Sequence, residues 1–294
     1  MPNKSVAVIG LGIMGGAIAR NLVAKGFAVG GFDIDEGRRG ALAAAGGEPA
    51  GSAAEAARGA DVVLTSLPSA VALEATAAGL VVAQPRRGLV VAELSTLPIA
   101  VKEKARERLA AAGITLLDCP LSGTGAQAQT GDLALFGSGE EAAFRDCAEI
   151  FAGFTRVAHY LGPFGNGSRM KFVANLLVAV HNVATAEAIV LGKKAGLDPA
   201  TVARVIASGA GSSRIFELRS PMMVEGVYTP PTATIEMFQK DISIIAAFAR
   251  ELGVETPVFS ASAPVYAAAQ QQGRGGEDGA AVCAVLEDWS RAAR

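Results

Sequence analysis

The stretch Gly10-Leu11-Gly12-Ile13-Met14-Gly15 constrains this chain more than any other. Its three glycines follow an apolar, strand-length run at residues 6–9 and open a helical pattern near Met14. A G-x-G-x-x-G turn between a strand and a helix is a phosphate cradle. Gly10 permits the tight turn, Gly12 lets a pyrophosphate approach the backbone, and Gly15 allows close helix–strand packing. The helix N-terminus adds free N–H groups and the positive end of a dipole. Leu11, Ile13 and Met14 complete the expected cofactor-binding turn. A turn that binds nothing is the bland alternative, and the strand–turn–helix context argues against it.

Around this motif, β-rich runs recur at 6–9, 28–32, 62–66, 89–93, 115–118 and 133–137, with Ala-rich helical stretches at 16–25, 53–58 and 100–112. Such alternation predicts a parallel sheet covered on both faces. Beyond Gly162 the texture changes to long helical patterns at 166–195, 199–207, 234–252, 258–272 and 279–294, separated by Gly, Pro or charge clusters. Two domains are expected, a cofactor-binding domain over 1–162 and an all-helical domain over 163–294.

Composition narrows the function classes. Lys plus Arg total 26 against 28 Asp plus Glu, so no basic excess exists to neutralise a nucleic acid. Three cysteines and two histidines are too few and too scattered for a disulfide framework or a metal cluster. The first apolar run is strand-length and lacks the features of a signal peptide, so a cytoplasmic location is expected. Residues 172–191 are long and apolar enough to suggest a membrane span, but they contain Asn175, His181, Asn182 and Glu187. Those groups are unfavourable in lipid, and a helix buried in protein or at a subunit interface is expected instead.

Further residues mark the ends of strands, where ligands lie in doubly wound sheets. Asp33 follows the second strand; a carboxylate there accepts ribose hydroxyls and repels a 2′-phosphate, which favours NAD over NADP, and the cap of a turn is the alternative. Arg38 and Arg39 stand close enough in sequence to reach the same place. Leu67-Pro68-Ser69 and Ser95-Thr96 follow two later strands and are candidates to line the cofactor. Ser95 and Thr96 also suit the cap of a helix over 98–112.

The chemistry points to two other segments. Residues 162–175 read G-x-x-G-x-G-x-x-x-K-x-x-x-N, which places Lys171 and Asn175 on one helix face, with Asn182 continuing the stripe. A lysine that merely snorkels at a domain seam is the alternative. In Asp118-Cys119-Pro120-Leu121-Ser122-Gly123-Thr124-Gly125, the Ser122 hydroxyl and the N–H groups of Gly123 and Thr124 are suited to a carboxylate. Lys240-Asp241 offers a cation for the cofactor with an acid to order it, or else a solvated charge pair.

Taken in order along almost the whole chain, these four motifs resemble the β-hydroxyacid dehydrogenase family. That group contains 3-hydroxyisobutyrate dehydrogenase, tartronate semialdehyde reductase and the shorter relatives of 6-phosphogluconate dehydrogenase. The resemblance implies a Rossmann-like domain joined by a long helix to a helical domain, assembled as homodimers or homotetramers. It implies NAD-linked interconversion of a small β-hydroxy acid and its semialdehyde. Lys171 maps to the catalytic lysine and Asn175 to a substrate-orienting amide; Ser122 and Gly123 map to carboxylate contacts, with Thr124 beside them. Thr96 and Lys240 map to cofactor contacts. The chain departs from the family pattern at Thr124, where a glycine is usual, and at Glu93, where aspartate is usual. Ser212-Ser213-Arg214 lies where relatives face the substrate, and Arg214 is a candidate for a second anionic group or an exposed side chain. Imine reduction is disfavoured by Lys171, decarboxylation by the lack of that branch's C-terminal extension, and a non-catalytic NAD-binding regulator by the joint presence of Lys171, Asn175 and Ser122.

Overall fold

The computed structural model describes residues 4–83, 86 and 88–292. Residues 293 and 294, the end of the expected helix 279–294, and the opening residues 1–3 lie outside the described residues.

Six strands form one parallel sheet: β1 (Ser5–Ile9), β2 (Ala28–Phe32), β3 (Glu48–Pro49), β4 (Val62–Thr65), β5 (Val90–Glu93) and β6 (Thr115–Asp118). Their order is β3-β2-β1-β4-β5-β6. In β1 the alternation of side chains feeds two separate cores. Val6 and Val8 join Ile18 and Leu22 of helix Ile13–Ala24, while Ala7 and Ile9 join Leu73 and Leu80 of helix Ala70–Val82. A strand buried on both faces needs apolar residues at consecutive positions, which is why these runs show no polar alternation. The order reverses direction between β1 and β4, and the crevice at that switch point is where such sheets bind ligands.

A second sheet holds β7 (Leu121–Ser122), β8 (Leu133–Gly137) and β9 (Thr155–Tyr160), with β7 antiparallel and β9 parallel to β8. Here the structure corrects the sequence reading, which grouped 133–137 with the parallel sheet. Buried and half-buried residues alternate along β8, the signature of a strand covered mainly on one face.

The chain divides into two compact units, Met1–Lys171 and Phe172–Arg294, so the division falls inside the 29-residue helix Asn166–Lys194. The helical unit continues with Pro199–Ala207, Arg214–Glu225, Ile235–Glu251, Pro257–Gln271 and Val282–Ala292. Side-chain caps start several of these: Asp198, Ser213 and Thr234 each accept from a first-turn amide. Among the described residues one helix, Asn166–Lys194, is long and apolar enough to cross a membrane, with 39% of its most apolar window buried. Its Asn182 is fully buried and donates to Tyr266 Oη at 2.9 Å and to the Gly279 carbonyl at 2.8 Å. That amide, read from the sequence as part of the Lys171–Asn175 stripe, is a core residue of the helical unit.

Candidate active site

The glycine turn after β1 is shaped by three different demands. Gly10 has φ +88°, and a Cβ there would collide with the Ser66 carbonyl oxygen. A Cβ at Gly15 would collide with the carbonyl oxygen of Gly10. Gly12, at the N-cap of helix Ile13–Ala24, receives no side-chain cap, and a Cβ there would meet only Arg38 Nη1, at 3.7 Å. The free space beside Gly12 therefore lies at the amide-rich start of a helix, as a bound pyrophosphate requires. Leu11 belongs to the core, Met14 packs against it, and Ile13 is half exposed.

Asp33 is buried and bonds turn amides, as its alternative reading has it. Its Oδ2 accepts the Leu11 amide at 2.7 Å and Arg38 Nη1 at 3.4 Å, and its Oδ1 accepts the Asp35 amide at 3.0 Å. Burial would raise its pKa, but the Asp35 and Leu11 amides and the Arg38 guanidinium together hold the carboxyl below the usual range. The carboxylate closes the glycine turn and retains acceptor capacity for a ribose hydroxyl. Arg39 donates to the Asp33 carbonyl at 2.7 Å, so both arginines lie against the same residue.

At the ends of β4 and β5, Leu67 N donates to Ser95 Oγ at 2.7 Å, and Ser95 N donates to Glu93 Oε1 at 3.0 Å. Pro68 is exposed and Thr96 half-buried. The next helix begins at Ile99 with Pro98 at its N-cap, so that position belongs to neither Ser95 nor Thr96. A residue preceding proline is biased to extended backbone, and this keeps 95–97 clear of the first helical turn. Ser122 ends β7 and is half-buried, and Gly123 turns the chain with φ +140°. Thr124 is committed elsewhere: it caps helix Gly125–Gln129 in a reciprocal capping box, its amide donating to Gln127 Oε1 at 3.0 Å. Its N–H and hydroxyl are both bonded to Gln127.

Lys171 is 8% exposed. One turn on in the same helix, Asn175 donates from Nδ2 to Asp241 Oδ2 at 2.7 Å, and Lys240 Nζ lies 3.2 Å from Asp241 Oδ1. The helical unit thus gathers Asn175, Lys240 and Asp241. Arg214 begins its helix, is well exposed, and pairs with Glu217 at 3.1 Å. Burial pushes the Cys147 thiol up to about 12 and the Cys283 thiol up to about 11, so both are neutral core residues.

One group escaped the sequence reading. Lys102 is fully buried, with Nζ 2.6 Å from Glu93 Oε2 and 2.8 Å from Asp118 Oδ1. The signal was there: Lys102 shares the buried stripe of its helix with Ala105 and Leu109.

The chain matches two family models, the NAD binding domain of 6-phosphogluconate dehydrogenase over residues 5–162 and the NAD-binding module of NADP-dependent 3-hydroxyisobutyrate dehydrogenase over 165–286. It is 35% identical to L-threonate dehydrogenase from Cupriavidus necator, covering 97% of this chain and 96% of that one. It is 30% identical to NAD-dependent L-serine dehydrogenase from Pseudomonas aeruginosa, covering 92% and 93%. A crystal structure of 3-hydroxyisobutyrate dehydrogenase from Salmonella typhimurium superposes with a TM-score of 0.87, at 29% identity over 96% of this chain and 100% of that one. A glycine cradle open at Gly12, a sheet reversed at that point, and full-length likeness of this order converge: the chain belongs to the β-hydroxyacid dehydrogenase family and is an NAD(P)-dependent oxidoreductase.

Proposed function

We propose that this protein interconverts a small β-hydroxy acid and its semialdehyde, with Lys171 moving the proton. The observation that carries this reading is a buried lysine one helical turn before an amide already fixed by Asp241. Bound NAD supplies the hydride acceptor in oxidation and, reduced, the hydride donor in the reverse direction. Lys171 Nζ takes the proton of the substrate hydroxyl as the C–H bond breaks, and its ammonium returns it to the alkoxide in reduction. Asn175 donates to Asp241, which leaves its carbonyl oxygen to orient the substrate hydroxyl. Ser122 and Gly123 hold the carboxylate, with Thr124 shaping the loop through its cap. The turn Gly10–Gly15, Asp33, Leu67, Pro68, Thr96 and Lys240 hold the cofactor, and Arg214 receives a second anionic group on the substrate.

The cofactor is held by 1–162, and 163–294 is the substrate and self-association domain. Exposed Val173, Leu177, Leu191, Val205 and Trp289 in the helical unit support a homodimer or homotetramer. The same reading places the protein in the cytoplasm, with no nucleic-acid or membrane partner. Relatives are named for L-threonate, L-serine and 2-(hydroxymethyl)glutarate. These acids and 3-hydroxyisobutyrate form the assay panel, with NAD and NADP run in parallel. Lys171→Ala should lower turnover by roughly 100- to 10,000-fold while NAD binding persists. Full turnover in that variant would refute the role.

A further inference from the structure

The ion cluster at Lys102 is organised around the helix that carries Lys171. Lys102 Nζ faces three acceptors, Glu93 Oε2 at 2.6 Å, the Ser95 carbonyl at 2.7 Å and Asp118 Oδ1 at 2.8 Å. Nζ donates to the Ser95 carbonyl and to Asp118 Oδ1 and forms an ion pair with Glu93 Oε2. Burial alone would lower the ammonium's pKa, but the charges of Asp118 and Glu93 outweigh it and keep the group protonated. Charged groups in the interior are tolerated only where dipoles replace water. Those dipoles come chiefly from the start of helix Asn166–Lys194. Ser168 N donates to Asp118 Oδ2 and Ser168 Oγ donates to Asp118 Oδ1, both at 2.8 Å. Gly167 N donates to Ser138 Oγ at 2.9 Å, and Ser138 Oγ in turn lies 3.3 Å from Asp118 Oδ2. A Cβ at Gly167 would collide with the carbonyl oxygens of Phe136 and Asp118, so the helix end is pressed against β6 and β8. The Asp118 side chain therefore sits at the positive end of the helix dipole.

We propose that Glu93, Lys102, Asp118 and Ser168 form a positioning network that sets Lys171 relative to the cofactor-lining segments at Leu67 and Ser95 and to the substrate loop. Ser168 stands one helical turn before Lys171, so fixing it fixes the lysine's height and rotation. Glu93 and the Ser95 carbonyl tie the same cation to the segment whose hydroxyl holds the Leu67 amide. Asp118 leads directly into the loop that carries Ser122. Stability does not explain such a cluster, since buried ion pairs are often replaced by apolar side chains without loss. Directional bonds do what apolar packing does not: they fix one register. This inference rests on the assignment of Lys171 as the proton-transfer group.

The test uses the full-length enzyme with its best substrate from the panel. Ser168→Ala removes the hydroxyl bond and keeps the helix amide; Ser168→Thr restores a hydroxyl. Lys102→Met and Lys102→Arg probe the cation in the same way. Expected is a fall in kcat of about 10-fold for Ser168→Ala and about 100-fold for Lys102→Met, because displacements near 1 Å have effects of that order. KM and NAD affinity should stay within about 3-fold, with recovery in Ser168→Thr and Lys102→Arg. If Lys102→Met fails to fold, the Ser168 pair decides alone. Unchanged kcat in Ser168→Ala, or a loss confined to NAD affinity, overturns the proposal. Lys171→Ala is assayed alongside: full turnover there removes the foundation and overturns both readings, whereas its loss with an intact Ser168→Ala overturns only the positioning role.

Discussion

Alanine substituted at each of the three motif glycines should separate folding from binding within one six-residue turn. At Gly10 a methyl group needs positive φ and meets the Ser66 carbonyl oxygen. Left-handed backbone costs an L-residue about 1–2 kcal/mol, and overpacking adds typically ~1–3 kcal/mol. Gly10→Ala should therefore lose about 2–5 kcal/mol, a fall in Tm of roughly 5–20 °C for a unit of this size. Gly15→Ala meets the carbonyl oxygen of Gly10 and should fall in the lower part of that range, since its φ is ordinary. Gly12→Ala is different in kind: its methyl has only Arg38 Nη1 nearby, at 3.7 Å. Its Tm should stay within about 2 °C of the parent, while NAD affinity drops at least ~10-fold because the methyl occupies the pyrophosphate space. Thermal melts followed by fluorescence titration with NAD check all three. Parental NAD affinity in Gly12→Ala, or parental melting in Gly10→Ala, would refute the reasoning.

The cofactor preference should turn on Asp33. Removing its carboxylate in Asp33→Ser leaves Arg38 and Arg39 beside the ribose site, and the ratio of kcat/KM for NADP over NAD should rise at least ~10-fold; an unchanged ratio would locate selectivity elsewhere. The same carboxylate predicts an acid limb in stability. Its folded pKa lies below the ordinary value of 3.8, so its contribution is complete above the unfolded value and is lost as pH falls through the folded one. Urea unfolding of Asp33→Asn should thus show a constant deficit from pH 7 to about 4.5 and a shrinking one below about 4; a deficit that persists unchanged at pH 3 would contradict it.

Several parts of the fold were legible because their causes are local. The cradle depends on three glycines between a strand and a helix, and helix Pro199–Ala207 on an Asp198 cap with proline in its first turn. Strands such as Val62–Thr65 read clearly because burial on both faces demands an unbroken apolar run. Elements that owe their existence to partners were not legible. Glu48–Pro49 and Leu121–Ser122 are two-residue strands defined only by the neighbours they pair with. Thr155–Tyr160 is mostly exposed and carries no apolar period. Helix Arg214–Glu225 hides a proline, Pro221, and is marked only by the Ser213 cap and the left-handed Gly226.

By itself the sequence determined the fold class, the phosphate cradle and the candidate residues Lys171, Asn175 and Ser122, since each belongs to a short motif with a local geometry. Tertiary structure alone decided what surrounds them. Asp33, read as a ribose acceptor or a turn cap, also accepts the distant Leu11 amide; Thr124, read beside a carboxylate, is the cap of a helix. Lys102 carries no motif, and it is the buried centre of a charge cluster. Its partners Glu93, Asp118 and Ser168 are scattered along the chain, and nothing short of folding brings them within hydrogen-bonding distance. A buried charge is stable only with such partners, so its role is a property of the assembled interior and of no single stretch of residues.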